Sequence, residues 1–274
     1  MHLSPGGLGA SHPDRSRLFA SLSTYSRIVA RLSWDPQAID LSADARAWPG
    51  LPETRRRRLA TLLAGFCVAE EAVAEHLVPF ADATEKTNSM MMWIFFLQRR
   101  DEDRHALMFD RIAAEVLGLP GASAAARRVA GRDLVPPAIL ELFEVTLPAM
   151  AADLAAGRTR VCDGIGLYHM VLEGMVFSAA QRALLDDLAD DVLPGVREGV
   201  QHVELDERWH VGFGLRCLTE EGCPVNLDEV LALAMQAADA WGDVVPAATR
   251  QRSLDLCRRR LALAGRGARR TAAA

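Results

Sequence analysis

Apolar residues recur at three- and four-residue spacing over most of the chain, the mark of helices that each bury one face. Strand-type alternation bounded by turn pairs is hard to find. The spacing predicts helices over 16–32, 52–83, 84–117, 137–156, 158–192, 194–221, 227–241 and 247–264. Pro52 is a favourable opening residue, Pro79 should kink or end its helix, and Gly118 with Pro120 should close the next. An irregular stretch, 33–50, carries Trp34-Asp35-Pro36. Residues 1–14 are rich in Gly, Pro, Ser and His, and 265–274 have no apolar stripe, so both are expected to be disordered tails. No linker divides the remainder, 15–264, which reads as one all-α domain.

Composition narrows the function classes. With 31 Lys+Arg against 36 Asp+Glu the chain is mildly acidic, which gives no reason to expect nucleic acid. No apolar run approaches the roughly 20 residues of a membrane-spanning helix, and the first residues lack a signal-peptide core. The five cysteines form no Cys-x-x-Cys pair and leave an odd count, so reduced thiols and a cytoplasmic setting are expected.

Seven histidines make each one informative, and two follow a glutamate by three residues: Glu102…His105 and Glu207…His210. On a helix such a pair shares a face and can direct a carboxylate and an imidazole at one point. Taken singly, a pair of this kind usually marks a solvated face. Both pairs, however, fall mid-helix, where a charge on the apolar stripe is costly without a partner. Two more glutamates lie at similar depth: Glu173, and one of the neighbours Glu70 and Glu71. The resulting order is Glu, Glu-x-x-His, Glu, Glu-x-x-His, with the members of each half separated by one long helix and its return. Four helices then deliver four carboxylates and two imidazoles to one level of a bundle, the ligand set of dinuclear carboxylate iron or manganese sites. Cys67, one turn before Glu70, reads as a core thiol, and His76, His169 and His202 as structural or surface residues.

This ordered set resembles the ferritin-like superfamily and, within it, the small-subunit family of ribonucleotide reductase. The likeness spans about 34–217. Trp34 and Asp206 match that family's tryptophan and the aspartate it hydrogen-bonds, which implies a chain from His105 through Asp206 to Trp34. A radical-exporting reductase subunit needs a tyrosine one turn after the first ligand histidine, where this chain has Phe109, and another in its C-terminal tail. The only tyrosines are Tyr25 and Tyr168. The chain is more similar to the ligand-binding oxidases of the same build. The run Glu70-Glu71-Ala72-Val73 matches theirs and selects Glu70 as ligand; Tyr168, five residues before Glu173-Gly174-Met175, matches as well. Gln181 departs from the aromatic-rich segment typical of the relatives.

The resemblance implies a manganese–iron pair, or alternatively two irons. Glu70, Glu102 and His105 would hold manganese, and Glu173, Glu207 and His210 iron, with dioxygen as co-substrate. It further implies an ether cross-link between Val73 and Tyr168, a long-chain fatty acid or similar apolar ligand bound at the metals, an unidentified electron donor and a homodimer. Ala69, Ala72 and Gly174 are candidates for making room for the acyl tail, or equally for close helix packing. The competing readings are another di-iron oxygenase (an N-oxygenase or an acyl-carrier-protein desaturase) and a non-catalytic ferritin-like metal-binding protein.

Overall fold

The computed structural model describes residues 20–84, 88–220, 223 and 225–271, among which there is no strand. The expected tail 1–14 and the first residues of the first expected helix lie outside them. Ser21 caps α1 (Leu22–Arg31) by accepting from the Thr24 amide. The stretch expected to be irregular contains a short helix, α2 (Ser42–Ala47), between two 3₁₀ turns. Next come α3 (Glu53–His76) and α4 (Val78–Thr84). Their break falls at Leu77, because the Pro79 ring has no N–H to donate and crowds the carbonyl of residue 75. Helix α5 (Ser89–Glu115) starts at Asn88, which accepts from the Met91 amide, rather than at 84.

After α6 (Ala124–Gly131), two rods each contain a π-helical stretch. The first joins α7 (Pro137–Leu140) to α8 (Leu147–Ala155) through Glu141–Thr146. The second joins α9 (Val161–Ile165) to α10 (Ser178–Asp187) through Gly166–Phe177. Helices α11 (Pro194–Glu220), α12 (Leu227–Ala237) and α13 (Ala247–Thr271) complete the chain. Helix α13 corrects the expected boundary at 264: its backbone stays helical to Thr271, since the Ala and Arg residues here are strong helix formers and outweigh Gly265 and Gly267.

Helix α3 packs along α5, while α11 and α13 pack against the π-helical stretch, so the described helices share one apolar core. Every residue of Gly166–Phe177 is buried. Gly214 permits the closest approach there, because a Cβ at that position would overlap the His169 side chain.

The cysteine reading is corrected. Cys162 in α9 and Cys223, beyond the end of α11, form a disulfide across 61 residues of sequence with their Cα atoms 5.2 Å apart. No short motif announces this pair, since packing of the helices brings the two together. The cytoplasmic expectation rested on five reduced thiols, and the bond removes that ground. Cys67, Cys217 and Cys257 lie outside the bond and are buried.

Candidate metal centre

Helices α3, α5 and α11 and the π-helical stretch bring Glu70, Glu102, His105, Glu173, Glu207 and His210 to one level of the core, all of them buried. They form two groups, Glu70–Glu102–His105–Glu207 and Glu102–Glu173–Glu207–His210, whose candidate ligand atoms lie within 4.8 Å of one another. Glu102 and Glu207 belong to both. Glu71, the competing neighbour, faces outward and pairs with Arg128 at 3.3 Å.

The two halves are built alike. His105 turns Nδ1 to Glu102 Oε2 (3.0 Å) and Nε2 to Asp206 Oδ2 (3.3 Å). His210 turns Nδ1 to Glu102 and Glu173 (3.1 Å each) and Nε2 to Asp101 Oδ2 (3.8 Å). The Trp34 indole donates to Asp206 (2.8 Å) and the Trp209 indole to Asp101 (3.2 Å). Arg104 bridges both aspartates, at 2.9 Å from Asp101 and 3.1 Å from Asp206. Each aspartate directly precedes the glutamate of one Glu-x-x-His pair and serves the histidine of the other. The sequence reading found Asp206 and Trp34 but missed Asp101 and Trp209. The repeated Asp-Glu-x-x-His run was the available signal.

Gln98, also missed, sits one turn before Glu102. Its amide donates to Tyr168 Oη (3.0 Å) and Glu173 Oε1 (2.9 Å), while His169 donates to its carbonyl oxygen (3.1 Å). The Tyr168 hydroxyl donates to Glu102 Oε1 at 2.8 Å. Tyr168 and Glu173, five residues apart, meet the same amide because a π-helix bonds residue i to i+5 and stacks such residues one turn apart. His169 is therefore a buried structural residue. His202 stacks on Trp34 with centroids 4.9 Å apart, and His76 donates to the Ala72 carbonyl. Val73 is buried one turn after Glu70, and Phe109 lies flat against Phe66 at 4.9 Å.

Electrostatics define what the cluster lacks. Both Oε atoms of Glu70 and Glu207, and Oε2 of Glu173, are buried without a hydrogen-bond partner. Burial pushes the carboxyls of Glu70 and Glu173 up to about 7 and that of Glu207 well above the usual range. Burial also opposes ionisation of Glu102, yet His210 and His105 together hold it well below. Burial disfavours the two imidazolium ions too, but their carboxylate neighbours outweigh it and raise both histidines well above their ordinary value. Burial and the surrounding glutamates likewise hold the Tyr168 phenol protonated. Several orphaned carboxylate oxygens around two imidazoles are a hard, anionic donor set, which fits a pair of divalent metal ions of the iron or manganese kind.

A cavity of about 250 Å³ opens on Glu173 and Glu207. Gly174 lines it, whereas Ala69 and Ala72 are buried in α3 and do not. A Cβ on Gly174 would stand 2.6 Å from the His169 carbonyl oxygen.

No family model matches the sequence. Solved structures do. An R2-like ligand-binding oxidase with a valine-to-leucine substitution and an anaerobically reconstituted Mn/Fe cofactor superposes with TM-score 0.75 at 19% identity, covering 93% of this chain and 94% of that one. The chain has the fold of the R2-like ligand-binding oxidases. An aerobically reconstituted Mn/Fe form covers 88% and 91% of the two chains (TM-score 0.72, 20% identity). A glycine-to-leucine variant with an Fe/Fe cofactor covers 93% and 94% (TM-score 0.73, 19% identity). The expectation of an all-α bundle whose helices bring the six candidate ligands to one level is met. No described helix is long and apolar enough to cross a membrane.

Proposed function

We propose that the chain is a dioxygen-activating oxidase with a dinuclear Mn/Fe centre, which oxidises a C–H bond of a carboxylate-bearing ligand by two electrons. The observation that carries this reading is the pair of ligand groups sharing Glu102 and Glu207. Glu70, Glu102 and His105 would hold manganese and Glu173, Glu207 and His210 would hold iron, with Glu102 and Glu207 available to both ions. The bound pair supplies reduction of dioxygen and an oxidant able to take hydrogen from carbon.

The chain's own residues set the conditions for that chemistry. Asp206 accepts from His105 Nε2, while Asp101 stands 3.8 Å from His210 Nε2 as its charge partner; the two aspartates set the rings with Nδ1 toward the centre and are themselves anchored by Trp34, Trp209 and Arg104. Gln98 holds Tyr168 and Glu173 in register. The buried apolar surroundings keep water from the oxidant.

The Tyr168 oxygen and the Val73 Cβ join in an ether: the phenol loses its O–H hydrogen, valine its Cβ–H, and dioxygen takes up both hydrogens with their electrons. With Phe109 locked against Phe66 and no tyrosine one turn after His105, export of a tyrosyl radical is not the function. The protein works as a homodimer fed by an external electron donor.

Metal analysis with peptide mass mapping tests the reading on protein produced with both metals in air. About one manganese and one iron per chain, with the Val73 and Tyr168 peptides linked and about 2 Da light, is the expected result. Two irons and no link would favour a general di-iron oxygenase. No metal would end both readings.

A further inference from the structure

The cavity at Glu173 and Glu207 is walled by α10, α11 and α13, and its lining is charged rather than oily. Arg182, Arg208 and Arg260 stand on it against a single rim carboxylate, Glu204. Glu204 is taken by Arg208 at 2.7 Å. Among the described residues Arg182 and Arg260 have no carboxylate partner within ion-pair distance. Arg260 is steered into place by donating to the Gly174 carbonyl at 2.7 Å. Gln181 is 98% buried beside these arginines, and its Nε2 donor has no hydrogen-bond partner. A buried donor left without an acceptor is costly, so its place in the lining marks a position where a ligand oxygen sits.

The lining therefore offers two anion-binding ends. One is the cluster itself, with its divalent ions in place. The other is the Arg182–Arg260–Gln181 wall, where guanidinium forks suit a carboxylate. Between them lie only Gly174 and Val211 as apolar surface. The volume, about 250 Å³, sits below the roughly 300–1,000 Å³ of pockets for drug-sized ligands. A long acyl chain finds neither length nor an apolar wall here.

We infer that the ligand of this centre is a compact, doubly anionic aliphatic acid, such as a short-chain dicarboxylate, with one carboxylate at the metals and the other held by Arg182, Arg260 and Gln181. This rests on the dinuclear-centre reading and narrows its ligand from the long-chain fatty acid implied by the resemblance. The methylene carbons between the two carboxylates then lie beside Glu173 and Glu207, where a C–H bond is within reach of the centre.

The test is calorimetric titration of glutarate, butyrate and palmitate into the Mn/Fe-loaded protein, with metal content measured on the same samples. Glutarate should bind at least about tenfold tighter than butyrate, and palmitate weakest. Arg260→Gln and Arg182→Gln should each cut the glutarate advantage about tenfold while two metals per chain remain bound. Arg260 also supports the Gly174 carbonyl, so Arg182→Gln and Gln181→Leu carry the test if Arg260→Gln fails to fold. Palmitate outbinding glutarate, or an unchanged glutarate-to-butyrate ratio in the folded variants, overturns the inference while leaving the oxidase reading intact. Fewer than one metal per chain overturns both.

Discussion

The Tyr168 hydroxyl donates to Glu102 Oε1 at 2.8 Å, which sets a protonated phenol against a carboxylate shared by both metal-binding groups. The phenol thereby reaches the proposed centre without being a ligand of it. Tyr168→Phe should leave two metals bound and abolish the mass loss on peptides containing Val73. It should also cost about 1–2 kcal/mol in urea unfolding, because Glu102 loses a donor and Gln98 an acceptor. Retention of the light peptide in that variant would assign the cross-link elsewhere.

Asp206 and Asp101 stand beside the histidines of opposite halves, at 3.3 and 3.8 Å from the Nε2 atoms, so their variants should separate the two metals. Asp206→Asn should weaken the ion held by His105 roughly 10- to 100-fold, and Asp101→Asn the ion held by His210 by a similar factor. Competition with a chromophoric chelator measures both. Equal loss of both metals in each variant would show instead that Arg104, which touches both aspartates, couples the halves.

Metal binding should depend on pH with a definite sign. Glu70 and Glu173 titrate near 7 in the folded metal-free chain against 4.5 for ordinary glutamate, and His105 and His210 are also raised. Groups raised by folding contribute their full stability below their unfolded values and lose it as pH rises through the folded ones. The Tm of metal-free protein should therefore fall from about pH 5 to 8, while that of loaded protein changes little. Metal affinity should climb over the same interval as protons are displaced. A metal-free Tm that rises with pH in this range would contradict the buried, cation-seeking cluster.

The Cys162–Cys223 bond closes 61 residues of chain that include the π-helical stretch and α11. The chain-entropy estimate for such a loop is about 4 kcal/mol. Cys162→Ser should lower the denaturation midpoint of oxidised protein by an amount that reductant reproduces in the parent. Identical midpoints with and without reductant would show that the bond is not formed in solution.

Much of the centre was legible in the sequence because α-helical geometry is local. Residues three apart share a face whatever the fold does, so Glu102…His105 and Glu207…His210 declared their pairing, and equal helix lengths set Glu70 and Glu173 at the same depth. What stayed hidden was non-local or non-α. Asp101 stands beside His210 across helices and nothing in its Asp-Glu-x-x-His run shows this crossing, while the partnership of Asp206 with His105 came only through the resemblance. Tyr168 and Glu173 would point apart on an α-helix; the π-helical backbone of Gly166–Phe177 turns both onto Gln98. Gln98 itself carries no motif.

The sequence by itself determined the helical class and five of the six candidate ligands, since these depend on residue identity and helical spacing alone, while the choice of Glu70 over Glu71 and the reading of Phe109 at a radical-tyrosine position came with the resemblance. Only tertiary structure decided which carboxylates are shared, that Cys162 meets Cys223, and that the cavity beside Glu173 and Glu207 is walled by arginines of α10, α11 and α13. These arginines lie on three separate helices, and a common wall exists only once packing has brought those helices together.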